Sequence, residues 1–184
     1  ADDVQRAVAK AIKHDITILS MHTNMDNALG GVNFKMAEKM QLTGVKFFTE
    51  KQVDGITCGS GVMGELPGAM AADDFIMMLK REFDVECVQC NQLLRRPIRT
   101  VAICGGAGSF LLPEAIAAGA DAFVTGEMHY HDYFAHEQEI QIAVIGHYQS
   151  EQYTYEIFKS IIEEQCEGVR CVVTSQNTNP IIYL

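Results

Sequence analysis

The chain has 184 residues, of which 48% are hydrophobic and 21% charged, so it can bury the core of one soluble domain. Its net charge of −10, with no basic run longer than the pair Arg95 and Arg96, argues against nucleic acid and anionic membranes as partners. There is no apolar run of membrane-spanning length and no signal peptide. The six cysteines are scattered, with one CxxC at Cys87 and Cys90 and no second one to complete a zinc site, so we expect a cytoplasmic protein.

The first part of the chain predicts alternating helices and strands. Apolar residues at helical spacing indicate a helix over residues 2–13, which Asp2 or Asp3 can cap. The elements that follow are a strand over 16–21, a helix over 33–40, a short strand over 45–48, a loop with five glycines over 54–68 and a helix over 75–83. Because the pattern opens on a helix, we expect a preceding strand–helix portion to be missing.

From residue 98 onward the pattern is more regular. Strands are predicted over 98–104, 121–125, 140–145 and 169–174, with helices over 110–118, 131–137 and 150–165. This alternation indicates βαβ units, and it predicts an α/β fold with a mostly parallel sheet flanked by helices. We expect one domain over 1–184, made of the end of a first half (1–53), a glycine-rich connector (54–68) and a second half (69–184).

Side chains suited to metal binding or proton transfer follow three of the predicted strands. They are His22 and Asp26 after the first strand, Glu127, His129 and His131 after the strand ending at Thr125, and His147 and Glu151 after the strand ending at Ile145. Ligands of open parallel sheets bind beyond the carboxyl ends of the strands. The sequence therefore predicts a common site at this edge of the sheet.

The spacing of His147 and Glu151 places an imidazole at a strand end and a carboxylate in the first turn of the next helix. A neutral imidazole beside an ionised carboxylate is a usual ligand pair for zinc or a transition metal. An ordinary loop histidine followed by a helix-starting glutamate would give the same spacing. Asp26 can likewise be a turn residue, and His129 and His131 can be ligands, acid–base groups or helix caps.

The glycine-rich turn over residues 104–109 lies between a predicted strand and a predicted helix. It fits only part of a dinucleotide-binding pattern, because Leu111 occupies the place of the third glycine, and no lysine follows to make a phosphate-binding loop. A tight strand-to-helix turn is the favoured interpretation, although a phosphate could still bind at the start of the helix.

Five stretches, in order along the chain, form a more specific set of motifs. They are residues 22–26 (HTNMD) with 30–33 (GGVN), 59–67, 101–108, 120–127 (ADAFVTGE) with His131 and Asp132, and 146–151 (GHYQSE). Together they resemble the Nif-three-like dinuclear metal centre proteins, often named GTP cyclohydrolase type 2 homologues. The resemblance extends over essentially the whole chain.

The resemblance implies an α/β core that assembles into a toroidal homohexamer, with two divalent metal ions per subunit facing an internal cavity. It implies Asp26, His147 and Glu151 as metal ligands, and His22 and His131 as nearby site residues. We group His22 with the metal ligands, and we take His131 and Glu127 as candidates for catalytic proton transfer. The metal is left open among zinc, iron, manganese and magnesium.

The sequence departs from the family pattern in two ways. The family's upstream segment with an adjacent His-His pair is absent, and a short connector stands where many relatives insert a domain, between the regions matching Phe48 and Gly59. The remaining side chains are too few to coordinate two cations. We therefore expect at most one weakly held metal per chain, and association through the surface that the upstream segment would cover.

The leading functional hypothesis is a metal-dependent hydrolase that acts on a nucleotide or related small molecule through a metal-bound water. The alternative is a non-enzymatic, metal-binding hexameric scaffold or regulatory protein. A third hypothesis is a nucleotide-binding module that uses the turn over residues 105–109. The sequence leaves these open, because a set of ligands does not specify a substrate.

Overall fold

A six-stranded sheet forms the centre of the computed structural model, which describes residues 2–183. Its elements are strands β1 (Thr43–Phe47), β2 (Glu50–Val53), β3 (Ile56–Gly59), β4 (Val62–Met70), β5 (Gln89–Cys90), β6 (Ile98–Cys104), β7 (Ala122–Thr125) and β8 (Gln141–Val144). The helices are α1 (Asp3–Lys13), α2 (Thr23–Asp26), α3 (Val32–Lys39), α4 (Ala72–Phe83), α5 (Leu112–Ala117), α6 (His147–Glu151) and α7 (Thr154–Gln165). Short 3₁₀ helices span Ser109–Leu111 and Tyr130–Tyr133.

The strand order of the central sheet is β1-β4-β6-β7-β8-β5, and β2 and β3 form a separate hairpin. The parallel core is β6-β7-β8, while β4 and β5 run antiparallel to their neighbours, so four of the six strands share one direction. The predicted α/β class with a mostly parallel sheet is confirmed, and the antiparallel strands lie outside the parallel core.

Two hydrophobic layers cover the two faces of the sheet, as the alternation of side chains along each strand requires. On one face, Val101 and Ile103 of β6 pack with the buried side of α3 and α4, including Met36 and Phe75. On the other face, Ala102 and its neighbours pack against α5 and the turn that precedes it. The strands of the parallel core are buried on both sides, which explains their nearly continuous apolar sequence.

Several predicted elements are confirmed. The helix over 2–13 is α1, and the Asp2 side chain accepts a hydrogen bond from the Gln5 backbone in a capping box. The predicted helices over 33–40, 75–83 and 110–118 correspond to α3, α4 and the 3₁₀–α5 pair, and the strand over 98–104 is β6. The long helix predicted over 150–165 is divided into α6 and α7.

Two predicted strands, over 16–21 and 169–174, are wrong. Both segments are apolar, but neither joins a sheet within residues 2–183, and their side chains face solvent: Leu19 is 82% exposed and Val172 78%. A strand forms only where a neighbouring backbone completes its hydrogen bonds, and side-chain pattern alone does not supply that neighbour.

The glycine-rich loop predicted over 54–68 is also wrong, because β3 and most of β4 lie there. Glycine fits within these strands where the neighbouring chain approaches closely: a methyl group on Gly59 would lie 2.9 Å from the Phe47 side chain. The helix predicted over 131–137 is reduced to the 3₁₀ helix Tyr130–Tyr133, because the backbone turns to positive φ at Ala135.

Candidate metal centre

The register of the parallel core brings three chain segments to one edge of the sheet. Cys104 of β6 lies opposite Thr125 of β7, which lies opposite Val144 of β8. The residues that follow these strands therefore emerge side by side. They are the glycine turn over residues 105–108, the pair Gly126 and Glu127, and the start of α6 at His147.

Two buried hydroxyl groups fasten the glycine turn to its neighbours. The Ser150 Oγ accepts a hydrogen bond from the Gly106 backbone N–H at 2.9 Å, and it donates to the His147 carbonyl at 2.8 Å. The Thr125 Oγ1 accepts from the Gly108 N–H at 3.2 Å and donates to the Gly106 carbonyl at 3.3 Å. The turn is thereby held against both β7 and α6.

Gly106 is the point where this turn approaches the candidate ligands most closely. Its φ of +60° is a left-handed conformation, which glycine adopts without strain. A methyl group at this position would lie 2.4 Å from the Glu151 Oε1 and 3.4 Å from the His147 Nε2. The absence of a side chain at Gly106 therefore leaves the space into which both groups project.

The buried side chain of Asn33, at the start of α3, links the Asp26 segment to the same turn. Its Nδ2 donates to the Asp26 carbonyl at 3.0 Å, and its Oδ1 accepts from the Gly105 N–H at 2.8 Å. Asn33 is only 1% exposed. Because this buried side chain makes both hydrogen bonds, it fixes the position of Asp26 relative to the sheet edge.

The His147 imidazole lies between two carboxylates. Its Nδ1 is 2.7 Å from the Glu127 Oε1, and its Nε2 is 3.5 Å from the Glu151 Oε2. His147 and Glu151 are four residues apart on α6, so their side chains lie on the same helix face. Glu127 reaches the imidazole from the end of β7.

The charges of the site act on one another. Burial raises the pKa of Asp26, and the imidazoles of His22 and His147 oppose the increase. Burial also raises the pKa of Glu151; His147 lowers it and the charge of Asp26 raises it further. Burial, with the Asp26 and Glu151 charges, raises the pKa of the Cys104 thiol to about 12. Asp26 and Glu151 thus share one electrostatic environment, and no lysine or arginine among residues 2–183 contributes to either pKa shift.

The chemistry of these donors fits a divalent cation. Two partly desolvated carboxylates without a lysine or arginine partner favour a bound positive charge, and imidazole with carboxylate is a usual ligand combination. Within residues 2–183, however, no group of three or more His, Cys, Asp or Glu side chains forms a ready coordination shell. The chemical types of the donors thus fit a divalent cation, whereas the positions of their side chains do not form a complete coordination shell.

Two cavities meet at the His147 and Glu127 side chains, which line both of them. One, of about 460 Å³, is also lined by Ser109 and His129. The other, of about 570 Å³, is lined by Glu151 together with apolar residues that include Pro180. A small molecule could therefore reach either side of the imidazole.

The amino-acid sequence matches the Duf34/NIF3 (NGG1p interacting factor 3) family over residues 1–180. The chain belongs to this family. It is similar to the protein named GTP cyclohydrolase 1 type 2 homolog of Clostridium perfringens, with 28% identity over 183 residues that cover 97% of this chain and 69% of that protein. The protein of the same name from Streptococcus pneumoniae is 33% identical over 124 residues, 65% of this chain and 45% of that protein. The chain thus spans only part of the length of these curated relatives.

Solved structures of the family have the same fold. The hypothetical protein SA1388 of Staphylococcus aureus superposes with a TM-score of 0.90 at 26% identity, covering 100% of this chain and 74% of that one. A Bacillus cereus protein related to NIF3 gives a TM-score of 0.82 at 21% identity, covering 97% of this chain and 76% of that one. These likenesses confirm both the fold class and the resemblance drawn from the motifs.

Every helix within residues 2–183 is too short or too polar to cross a membrane.

The structure places the predicted site residues at different distances from this centre. Asp26, Glu127, His147 and Glu151 are joined by contact or by charge, and His22 acts on Asp26 and Glu151 through its charge. His131 instead stacks edge-on against Tyr130, with ring centroids 5.3 Å apart. The exposed His129 lies 3.5 Å from Asp132 and caps the 3₁₀ helix.

Three residues that organise the centre did not stand out from the sequence as site residues. They are Asn33, Thr125 and Ser150, all of which are buried and hydrogen-bonded to the glycine turn or to the Asp26 segment. The sequence signal that could have identified them is a polar residue among apolar ones. Thr125 ends a buried strand, and Ser150 follows His147 by one helical turn.

Proposed function

We propose that this chain binds a divalent cation between Asp26, His147 and Glu151, with His22 completing or adjoining the ligand set. The observation that carries the proposal is the pair of partly buried carboxylates, Asp26 and Glu151, which come from distant parts of the chain. Burial raises the pKa of both, and the charge of Asp26 raises that of Glu151 further. A cation would neutralise both of them. The imidazole nitrogen Nε2 of His147 projects into the same space over Gly106.

We further propose that this protein is a metal-dependent hydrolase acting on a nucleotide or related small molecule. The name of the curated relatives, GTP cyclohydrolase 1 type 2 homolog, supports this class of substrate. The chemistry supplied with a bound divalent cation is Lewis acidity, which acidifies water and polarises the bond to be hydrolysed. His131 remains a candidate for proton transfer from its place in the family motif.

Metal counting by mass spectrometry tests the cation site directly. The protein is stripped with a chelator, reloaded with Zn²⁺ or Mn²⁺, desalted and analysed beside the variant Glu151→Gln. We expect at most one cation per chain in the unsubstituted protein and a loss of most of it in Glu151→Gln. The matched control is Glu163→Gln on α7, whose carboxylate lies 3.9 Å from Lys159 and outside the centre. Equal metal content in all three proteins would reject Glu151 as a ligand.

An apolar surface on α1 favours the second candidate function, a non-enzymatic metal-binding scaffold or regulatory assembly. Val4, Val8 and Ile12 lie on one face of α1, and Val4 and Ile12 are more than 70% exposed. Exposed apolar surface of this kind is typical of association. A hydrolase panel on the metal-loaded protein, with and without chelator, separates the candidates: chelator-sensitive turnover supports the enzyme, and native mass spectrometry reports the assembly.

A further inference from the structure

Glu127 reaches the candidate metal centre through His147 rather than directly. Its Oε1 lies 2.7 Å from the Nδ1 of His147, and this contact is the shortest that the imidazole makes with a carboxylate. The other ring nitrogen, Nε2, is directed toward Glu151 and toward the space over Gly106. The two nitrogens therefore face different neighbours.

The backbone beside Glu127 fixes this arrangement. The N–H of Gly126 donates to the Gly106 carbonyl at 3.0 Å, and a methyl group on Gly126 would lie 2.9 Å from the His147 Cα. The end of β7 is thus packed against the start of α6 at a distance that only glycine permits. The side chain of Glu127, the next residue, therefore lies on the Nδ1 side of the His147 imidazole.

We propose that Glu127 is a positioning residue, which accepts the Nδ1–H of His147 and so holds Nε2 unprotonated and aimed at the cation site. The inference rests on the proposed cation site and assigns Glu127 neither as a ligand nor as the acid or base of the reaction. A metal-binding imidazole commonly donates its second N–H to a carboxylate, which fixes the tautomer and the ring orientation and strengthens the metal–nitrogen bond.

The chain contains a matched control for this contact. The His136 Nδ1 lies 2.7 Å from the Glu139 Oε2, so the same pair of groups occurs at the same distance at another place on the surface. His136 and Glu139 are absent from the charges that shift Asp26 and Glu151. Glu139→Ala therefore removes an equivalent contact without altering the centre.

The first measurement is the tautomer of His147 in the chelator-treated protein at pH 8, read from the ¹⁵N shifts of the imidazole ring. We expect the Nδ1–H form of His147 in the unsubstituted protein and in Glu139→Ala, and a mixture of both forms in Glu127→Ala. Glu127→Gln should restore much of the Nδ1–H form, because its side-chain carbonyl oxygen can accept the same hydrogen bond. An unchanged tautomer in Glu127→Ala would overturn the proposal.

The second measurement is Mn²⁺ affinity by competition with a chelating dye. Glu127→Ala should weaken binding about 10–100-fold, Glu127→Gln should weaken it less, and Glu139→Ala should leave it unchanged. A loss as complete as that of His147→Ala would make Glu127 a ligand, and retention of the full affinity would make it irrelevant to binding. If the unsubstituted protein binds no Mn²⁺, the proposed cation site fails, whereas the tautomer measurement still decides the role of Glu127.

Discussion

Ser150 and Gly106 are joined by a hydrogen bond of 2.9 Å from the Gly106 N–H to the Ser150 Oγ, across 44 residues of sequence. Because the same hydroxyl donates to the His147 carbonyl, one buried side chain ties the glycine turn to the helix that carries His147 and Glu151. The two proposed ligands on α6 and the open space over Gly106 are thus parts of one hydrogen-bonded unit.

Replacing Ser150 by alanine should break this unit. The substitution leaves the buried N–H of Gly106 without its acceptor, which costs about 1–3 kcal/mol in the free energy of unfolding. Urea denaturation measures the loss. Ser160→Ala, which removes an exposed hydroxyl on α7 that bonds Glu164, should change the stability far less. Equal stability of the Ser150 and Ser160 variants would show that the contact does not hold the turn.

Gly106→Ala should abolish cation binding through a steric clash, separately from its effect on the free energy of unfolding. The added methyl group would lie 2.4 Å from the Glu151 Oε1, so the carboxylate must move out of the shared space. The matched variant is Gly119→Ala, where φ is +78° but no atom lies within 4 Å of the new methyl group. Both should lose about 1–2 kcal/mol through the left-handed backbone, and only Gly106→Ala should lose Mn²⁺ affinity in a dye-competition titration. Normal binding by Gly106→Ala would contradict the site.

The Asp121 carboxylate should stabilise the folded chain at neutral pH, and this contribution should be lost in acid. Burial alone would raise the pKa of its carboxyl, but hydrogen bonds from the backbone N–H groups of Thr100 and Arg99 and the Arg96 guanidinium outweigh burial, so the pKa lies below 3.8. The folded state therefore binds a proton less readily than the unfolded state. Its contribution is complete above the unfolded pKa and is lost as pH falls through the folded pKa.

The variant Asp121→Asn isolates this contribution. At pH 7 it should be less stable than the unsubstituted chain by about 1–2 kcal/mol, a value discounted for the partial exposure of the site. The difference should shrink below pH 4, where the aspartate of the unsubstituted chain becomes protonated. Urea unfolding at a series of pH values measures both curves. A difference that stays constant down to pH 2 would assign the effect to packing instead.

The sequence predicted the parallel core and its site because these depend on local pattern. Continuous apolar runs mark β6 and its neighbours, and residues that follow parallel strands must emerge at one edge. From the sequence alone, that rule predicts that His147, Glu151 and Glu127 lie at the same edge of the sheet. The contact of Glu127 with His147 was not predictable, because the 2.7 Å distance to Nδ1 depends on how closely Gly126 packs on α6.

The errors have a different physical origin. The segment over 16–21 has the composition of a strand, yet strand formation depends on a partner backbone that composition does not specify. Asn33 stands out in the sequence only as part of a motif, because one of its two hydrogen bonds is made to Gly105, 72 residues further along the chain. Such long-range polar contacts are set by the tertiary fold and leave no periodic pattern in the sequence.

The melting temperature of the chain with and without a divalent cation, compared with that of Asp26→Asn, tests the central claim most directly. If Asp26 and Glu151 hold one cation, adding Mn²⁺ at about 100 times its dissociation constant stabilises the unsubstituted chain by about 2.7 kcal/mol. This corresponds to an increase of about 5–10 °C for a domain of this size. Asp26→Asn should show little or no increase at the same concentration. An equal increase in both proteins would show that the cation binds elsewhere and would contradict the proposed centre.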